Sequence, residues 1–174
     1  MIKITELAHK LISEKKDILV AVDMTVGRGN DTYFLAGIAK KVYGFDIQPV
    51  AIDIALKLIN NEMLSNVELI KDNHENIKNY VFEKVDVAIY NLGYLPQGDK
   101  SIKTETSSTI NSLKSLLEIL NSEGLVVIVL YSHNIEEIDS VENFTKNLSS
   151  DYDVLQYKVL NRTNSPYIIS IKKR

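Results

Sequence analysis

The chain has 174 residues, of which 45% are hydrophobic and 25% charged, with a net charge of −3 and no cysteine. This length and apolar content predict one globular domain, residues 1–174, and the lack of cysteine excludes disulfides, thiolate metal sites and cysteine nucleophiles. The acidic balance argues against a nucleic-acid coat protein, and no apolar run nears the ~20 residues of a membrane span or resembles a signal peptide, so we expect a cytoplasmic protein without membrane contact.

Apolar strands alternate with amphipathic helices along the chain. Helical spacing of apolar residues predicts the helices, and short β-branched runs predict strands buried on both faces. In chain order the predicted elements are helix Thr5–Lys16, strand Ile18–Val22, helix Thr32–Lys41, strand Val42–Phe45, helix Pro49–Leu64, strands Val67–Ile70 and Val85–Tyr90, helix Thr106–Ser122, strand Leu125–Tyr131, helix Ile135–Leu148, and strands Tyr152–Tyr157 and Tyr167–Ile171. Thr5 is the predicted N-cap of the first helix, and Glu123-Gly124 the predicted stop of the fourth.

This alternation predicts an α/β fold with a doubly wound, mostly parallel sheet of seven strands. Only a short polar stretch separates the last two strands, so at least one of them is antiparallel. Such an ending is typical of Rossmann-like methyltransferases. Ligands of these sheets bind outside the carboxyl ends of the strands, where all the candidate functional segments fall.

The first candidate segment follows the first strand and contains Gly27 and Gly29. Two glycines spaced in this way let the backbone turn sharply and approach a ligand just before a helix. Strand two ends in Asp46, followed by Ile47 and Gln48, and an acid there can accept hydrogen bonds from both ribose hydroxyls. Taken separately, the loop is equally compatible with a plain turn, and Asp46 with a helix cap.

The loop favours S-adenosylmethionine (SAM) over a nicotinamide cofactor. A dinucleotide fingerprint requires a third glycine where this chain has Thr32. The order acid, small residue, glycine, glycine, with Asp23 and Thr25 in the first two places, is similar to motif one of SAM methyltransferases. The cationic amino-acid portion of SAM tolerates Asp23, whereas a pyrophosphate would be repelled. An NAD-type oxidoreductase and a non-catalytic SAM-binding protein remain alternatives.

The segment after strand four, Asn91-Leu92-Gly93-Tyr94, carries the predicted chemistry. The Asn91 amide oxygen and nearby backbone carbonyls can accept the hydrogens of an amine and leave its lone pair free to attack, and Tyr94 can stack on a pyrimidine. The spacing matches the Asn-Pro-Pro-Tyr motif of amino methyltransferases, with Leu92-Gly93 in place of the prolines. The alternative is an ordinary turn.

Three histidines and a basic C-terminus complete the candidates. His74 and His133 follow strand ends and can serve as base or substrate contact, whereas His9 on the first helix is interpreted as a packing or surface residue. Without a ligand cluster we expect no metal site. A basic patch of Lys158, Arg162 and the terminal residues 172–174 is one interpretation of the C-terminus, and a solvated tail is the other.

Together these segments resemble the YtqB-like family, the MnmM tRNA methyltransferases formerly labelled rRNA methylases, over essentially the whole chain. The matching segments are Ala8-His9-Lys10, Asp23 to Thr32, Phe45 to Gln48, His74-Glu75, Asn91 to Pro96, Gly98 to Lys100 and Asn161 to Pro166. The chain departs from the family's usual loop at Met24, Arg28 and Asn30, and Ser132 replaces a glycine before His133.

The resemblance implies a Rossmann-like class I SAM methyltransferase with an antiparallel C-terminal strand. It implies methylation of the aminomethyl group of 5-aminomethyl-(2-thio)uridine at the tRNA wobble position; rRNA or a small-molecule amine is the alternative substrate. The catalytic domain itself would hold the tRNA anticodon loop, with a homodimer as a further option. The implied catalytic residues are Asn91, Tyr94 and His133, and the implied SAM-binding residues are Asp23, Thr25, Gly27, Gly29, Asn30, Asp31, Thr32, Asp46, Ile47, Gln48, Asp72, His74, Asn91 and Gly93.

Overall fold

The computed structural model describes residues 3–93 and 106–174, which form a seven-stranded sheet with helices on both faces. The strands are β1 (Ile18–Asp23), β2 (Ala39–Asp46), β3 (Val67–Lys71), β4 (Val85–Leu92), β5 (Leu120–Leu130), β6 (Tyr152–Tyr157) and β7 (Tyr167–Lys173). The helices are α1 (Ile4–Ser13), α2 (Asn30–Ala36), α3 (Pro49–Asn61), α4 (Thr106–Ile119) and α5 (Ile135–Lys146), with a 3₁₀ helix at His74–Asn79. None of these described helices is long and apolar enough to cross a membrane.

The strand order is β3-β2-β1-β4-β5-β7-β6. The first five strands pair in parallel, and β7 is antiparallel to both of its neighbours, so β6 again runs parallel to β5. The predicted fold, including the antiparallel C-terminal strand, is confirmed. The chain order reverses between β1 and β4, and open α/β sheets bind ligands at such a switch point.

Two hydrophobic clusters, one on each face, hold the layers together. Residues of α4 and α5, such as Leu113, Leu116 and Val141, belong to one cluster, and residues of α1 and α2, such as Ile12 and Leu35, belong to the other. The central strands are buried on both faces, as their continuous apolar runs predict. The sheet is therefore covered on both faces, and the candidate functional segments lie at its edge.

Three predicted boundaries were wrong, two of them because strand pairing overrides the local sequence pattern. Thr5 does not cap α1, whose N-cap is Lys3 without a side-chain hydrogen bond. The predicted helix 32–41 ends at Ala36, because Ala39 already pairs with Ile18 of β1. The fourth helix ends before Leu120, which pairs with Val85, and residues 121–124 form an irregularity in β5.

Candidate active site

Three segments meet where β2, β1 and β4 lie side by side. The glycine loop follows β1, Asp46 ends β2, and Asn91 lies at the end of β4. Hydrogen bonds join all three: the Gly27 amide donates to Asp46 Oδ2 over 2.9 Å, and the Asn91 amide donates to Thr25 Oγ1 over 2.7 Å. The strands thus bring together groups that are far apart in sequence.

Asp23 organises the glycine loop from below. Its side chain is fully buried, Oδ1 accepts the Thr25 amide at 3.0 Å, and Oδ2 accepts the Thr32 hydroxyl at 2.6 Å. Burial, and next the negative charge of Asp31, raise the pKa of Asp23 to about 7. Because the side chain is fully buried and both oxygens accept bonds from the loop and α2, Asp23 supports the loop from beneath.

Both glycines of the loop have backbone angles that favour glycine. Gly27 has a φ of 52° and Gly29 a φ of 83°. Gly29 is also the N-cap of α2 and packs closely on α3, since a Cβ at this position would lie 3.0 Å from Ala55 Cβ and 3.1 Å from Ala55 Cα. The loop therefore requires glycine for its conformation as well as for close approach. Asn30, the first residue of α2, is exposed beside it.

Asp46 is half-buried, and its carboxylate can accept further hydrogen bonds from a ligand. Its Oδ1 accepts the Gln48 amide at 2.9 Å while Oδ2 holds Gly27. Each carboxylate oxygen has two lone pairs, so each can accept one more hydrogen bond. The Ile47 side chain, 42% exposed, offers an apolar surface next to this carboxylate.

Two buried acceptors have no hydrogen-bond partner among the described residues, namely Gln48 Oε1 and His74 Nε2. His74 Nδ1 lies 2.9 Å from the Met24 carbonyl oxygen, and burial lowers the pKa of His74. The neutral ring therefore donates from Nδ1, which leaves Nε2 as an acceptor. Unpaired buried acceptors are costly, and a ligand with N–H or O–H groups would satisfy them.

Asp72 accepts hydrogen bonds within the protein at both carboxylate oxygens. Its Oδ1 accepts the Asn73 amide at 2.7 Å and the Asn76 amide group at 3.1 Å, and its Oδ2 accepts the Tyr80 hydroxyl at 2.7 Å. Burial opposes ionisation, but these hydrogen bonds hold the pKa of Asp72 below its usual value. Asp72 thus anchors the 3₁₀ helix, whose N-cap is Asn73.

Asn91 is fixed through both its backbone and its side chain. Beside the bond to Thr25, Asn91 Nδ2 donates to Asp31 Oδ2 over 3.1 Å. The Gly93 amide donates to the Asn91 carbonyl over 2.8 Å, and a Cβ on Gly93 would lie 3.4 Å from the Tyr131 ring. The His133 ring centroid lies 5.9 Å from that of Tyr131. Tyr94 lies outside the described residues.

Sequence reasoning missed His9. Its Nε2 lies 2.7 Å from Asp31 Oδ1, and its ring stacks on Phe34 with centroids 3.8 Å apart. The interpretation as a packing or surface residue therefore overlooked a contact with the loop. Only the resemblance of Ala8-His9-Lys10 to the family pointed to it, since helical spacing cannot reveal a partner on another element.

The predicted basic patch is divided between two edges of the sheet. β7 runs antiparallel, so Lys172 pairs with Leu125 at the edge away from the site, where it contacts Glu123 at 2.6 Å. The connection 158–166 follows β6 and lies at the site edge, because Tyr157 pairs with Ile168. Only Lys158 and Arg162 are thus on the same side as the glycine loop.

Comparison with known proteins identifies the family. Residues 42–173 match the family described as "Putative rRNA methylase". The chain is 33% identical over 193 residues to the chloroplastic tRNA (mnm5s2U34)-methyltransferase of Arabidopsis thaliana, with 99% of this chain and 70% of that protein covered. The chain belongs to the MnmM-like methyltransferase family. The resemblance seen in the sequence is confirmed.

Solved structures agree with membership of the MnmM-like family. A "putative methyltransferase" from Streptococcus mutans, in complex with SAH, is 37% identical with a TM-score of 0.95, covering 100% of this chain and 99% of that chain. A "putative rRNA-methylase" from Clostridium thermocellum is 35% identical with a TM-score of 0.94 over all of both chains. This member of the MnmM-like family is a SAM-dependent methyltransferase. The alternatives of an NAD-type oxidoreductase and a non-catalytic SAM-binding protein are therefore excluded.

Proposed function

We propose that this enzyme methylates the aminomethyl nitrogen of 5-aminomethyl-(2-thio)uridine at the tRNA wobble position, giving the 5-methylaminomethyl form. The observation that carries the proposal is the Asn91 side chain, whose Nδ2 is bonded to Asp31 and whose Oδ1 is left as an acceptor at the strand end. The named activity of the Arabidopsis relative supports the same substrate. Methylation of rRNA or of a small-molecule amine is the competing hypothesis.

The cofactor fits the described residues. Asp46 can accept ribose hydroxyls, and the unpaired acceptors Gln48 Oε1 and His74 Nε2 can accept N–H or O–H groups of the nucleoside. The glycine loop, with Gly27, Gly29, Asn30 and the buried Asp23, Asp31 and Thr32 beneath it, gives the remaining cradle. SAM supplies an electrophilic methyl group, and the protein must align a nucleophile with it.

The protein's part in the reaction is to prepare an amine. An alkyl amine is protonated in neutral water, and removal from water lowers its pKa and exposes its lone pair. Asn91 Oδ1, and backbone carbonyls at Leu92 or Gly93, can accept the remaining N–H groups and direct the lone pair, with reacting atoms ~3–3.5 Å apart. Tyr94 as a stacking residue and His133 as a substrate contact remain proposals.

The RNA must approach the edge that carries Asn91. Lys158 and Arg162 lie at that edge, whereas the far edge carries Lys172 and Arg174, which are paired with Glu123 and Asp153. Cations already paired with carboxylates contribute less to phosphate binding. We therefore propose that the connection 158–166 contacts the tRNA backbone.

Mass spectrometry of nucleosides from hypomodified tRNA incubated with protein and SAM tests the substrate. We expect 5-aminomethyl-2-thiouridine to be consumed and its methylaminomethyl product to accumulate, while rRNA and free amines remain unmethylated. Asn91→Ala should abolish transfer and leave SAM affinity near normal, and Asn60→Ala, on the exposed face of α3, is the matched control. Methylated rRNA with unchanged tRNA would refute the proposal.

A further inference from the structure

The Asp31 carboxylate lies between two side chains from different elements. Its Oδ1 is 2.7 Å from His9 Nε2 of α1, and its Oδ2 is 3.1 Å from Asn91 Nδ2 of β4. We propose that His9 is a positioning residue for methyl transfer, which holds Asp31 and, through Asp31, fixes the Asn91 amide with Oδ1 toward the incoming nucleophile. This rests on the proposed function in one respect, that the nucleophile is an amine.

His9 is held firmly enough to act in this way. Its ring lies 3.8 Å from the Phe34 ring at an interplanar angle of 5°. Phe34 and Asp31 both belong to α2 and are three residues apart, which places them on adjacent turns of one helix face. α2 thus supplies the stacking surface and the hydrogen-bond acceptor together, and the imidazole cannot turn without losing one of them.

The chemistry of the carboxylate determines the orientation of the amide. A carboxylate only accepts hydrogen bonds, so both His9 Nε2 and the facing Asn91 nitrogen must donate. Asn91 Nδ2 donates to Asp31 Oδ2, and the Asn91 side chain also lies near the Tyr131 hydroxyl, whose pKa burial raises and Asn91 lowers. With its nitrogen engaged in this way and its backbone amide held by Thr25, Asn91 retains Oδ1 as the acceptor available to substrate.

The hydrogen bond from His9 to the Asp31 carboxylate is stronger than one between neutral groups, because its acceptor is charged. The exposed fraction of the side chain is 26% for His9 and 8% for Asp31, so the pair is largely shielded from water. Without His9, Asp31 Oδ1 would lose its donor and the carboxylate could rotate toward Asn91 or solvent. The amide would then lose its single orientation, although Asn91 itself is unchanged.

Two substitutions separate the hydrogen bond from the stacking contact. His9→Gln keeps an N–H donor at the reach of Nε2 but lacks the ring, whereas His9→Phe keeps a ring on Phe34 but lacks the donor. On hypomodified tRNA we expect His9→Phe to lower kcat on the order of 10–100-fold with KM values near wild type, as a small misplacement of the reacting group does. His9→Gln should retain most of the wild-type kcat. Thermal unfolding of each variant checks that the fold is intact.

A second measurement needs no tRNA. Sinefungin, a SAM analogue with an amine in place of the transferable methyl group, probes the acceptors at that position, and SAH serves as the reference ligand. Calorimetry should show that wild type and His9→Gln prefer sinefungin over SAH and that His9→Phe loses this preference.

The two measurements fail independently. If wild-type enzyme does not methylate tRNA, the proposed function is refuted, and sinefungin binding still tests His9. If His9→Phe keeps both the wild-type kcat and the sinefungin preference, or if wild type shows no preference at all, the positioning role is overturned. Equal losses in His9→Gln and His9→Phe would also overturn it, since that result indicates only a structural contact between α1 and α2.

Discussion

Replacement of Gly29 by alanine tests whether the glycine loop depends on its backbone conformation and its close approach to α3. An L-residue in the left-handed region costs about 1–2 kcal/mol, and Gly29 has a φ of 83°. The new Cβ would also lie 3.0 Å from Ala55 Cβ, and such overpacking typically costs about 1–3 kcal/mol. We therefore expect Gly29→Ala to lower the free energy of unfolding by about 2–5 kcal/mol in urea denaturation, with weaker SAH binding.

Gly37→Ala is the matched control. Gly37 has a φ of −75° and a new Cβ would lie 3.4 Å from the Phe34 carbonyl oxygen, so we expect a change within about 1 kcal/mol. In the Ala55→Gly background, the cost of Gly29→Ala should fall because the contact with Ala55 Cβ is gone. Part of the packing cost should remain, because the new Cβ would still lie 3.1 Å from the Cα of residue 55. A Gly29→Ala protein as stable as wild type, or a cost unchanged by Ala55→Gly, would refute the reasoning.

Three further predictions concern charge. The pKa of Asp23 is raised from its ordinary 3.8 to about 7, so between these values the folded protein keeps a proton that the unfolded chain loses. The contribution of protonated Asp23 to the free energy of unfolding is therefore full below about pH 4 and is lost as the pH rises to about 7. Asp23→Asn should therefore flatten that part of the pH dependence of unfolding, and an unchanged slope would contradict it. Burial opposes ionisation of Asp86, but hydrogen bonds from Asn121 and two β1 amides hold its pKa below the usual value. Asp86→Ala should therefore lower the free energy of unfolding by roughly 2–4 kcal/mol at pH 7 in urea denaturation. The loss should become smaller as the pH falls below about 4, where the carboxylate is protonated in the unfolded chain. A loss that persists in full at low pH would show that the charge is not the cause. Arg162→Ala should raise KM for tRNA and reduce the salt dependence of binding by about one released ion. Lys172→Ala, at the far edge of the sheet, should change neither quantity. Equal effects of the two substitutions would show that the RNA does not bind at the edge that carries Arg162.

The sheet could be predicted because the central strands are short, mainly apolar runs, and such runs are stable only when they are buried on both faces. Val85 to Tyr90 is buried on both faces, and the sequence shows this without any knowledge of partners. Element ends were harder to predict. Residues 39–41 look helical in sequence, yet pairing with β1 places them in β2, and such pairing over long sequence distances leaves no local signal.

The same distinction applies to the site. Gly27, Gly29, Asp46 and Asn91 were predicted as candidates because each follows or ends a predicted strand, at the edge of the sheet where ligands bind. The structure brings these residues together at that edge. The contact of His9 with Asp31 was missed because it depends on the packing of α1 beside α2 and joins residues 22 positions apart. The hydrogen bonds of Asp23 to Thr25 and Thr32 were also not predictable, since they form only when the glycine loop folds over the end of β1.

The antiparallel course of β7 has a practical consequence for handling the enzyme. The chain reaches Arg174 at the sheet edge away from the glycine loop, where its amide donates to the Asp151 carbonyl over 2.8 Å. α1, in contrast, places His9 next to that loop. An affinity tag, surface tether or fluorescent reporter attached at Arg174 should thus leave the reactive edge open to a macromolecular substrate, and one attached ahead of α1 would crowd it.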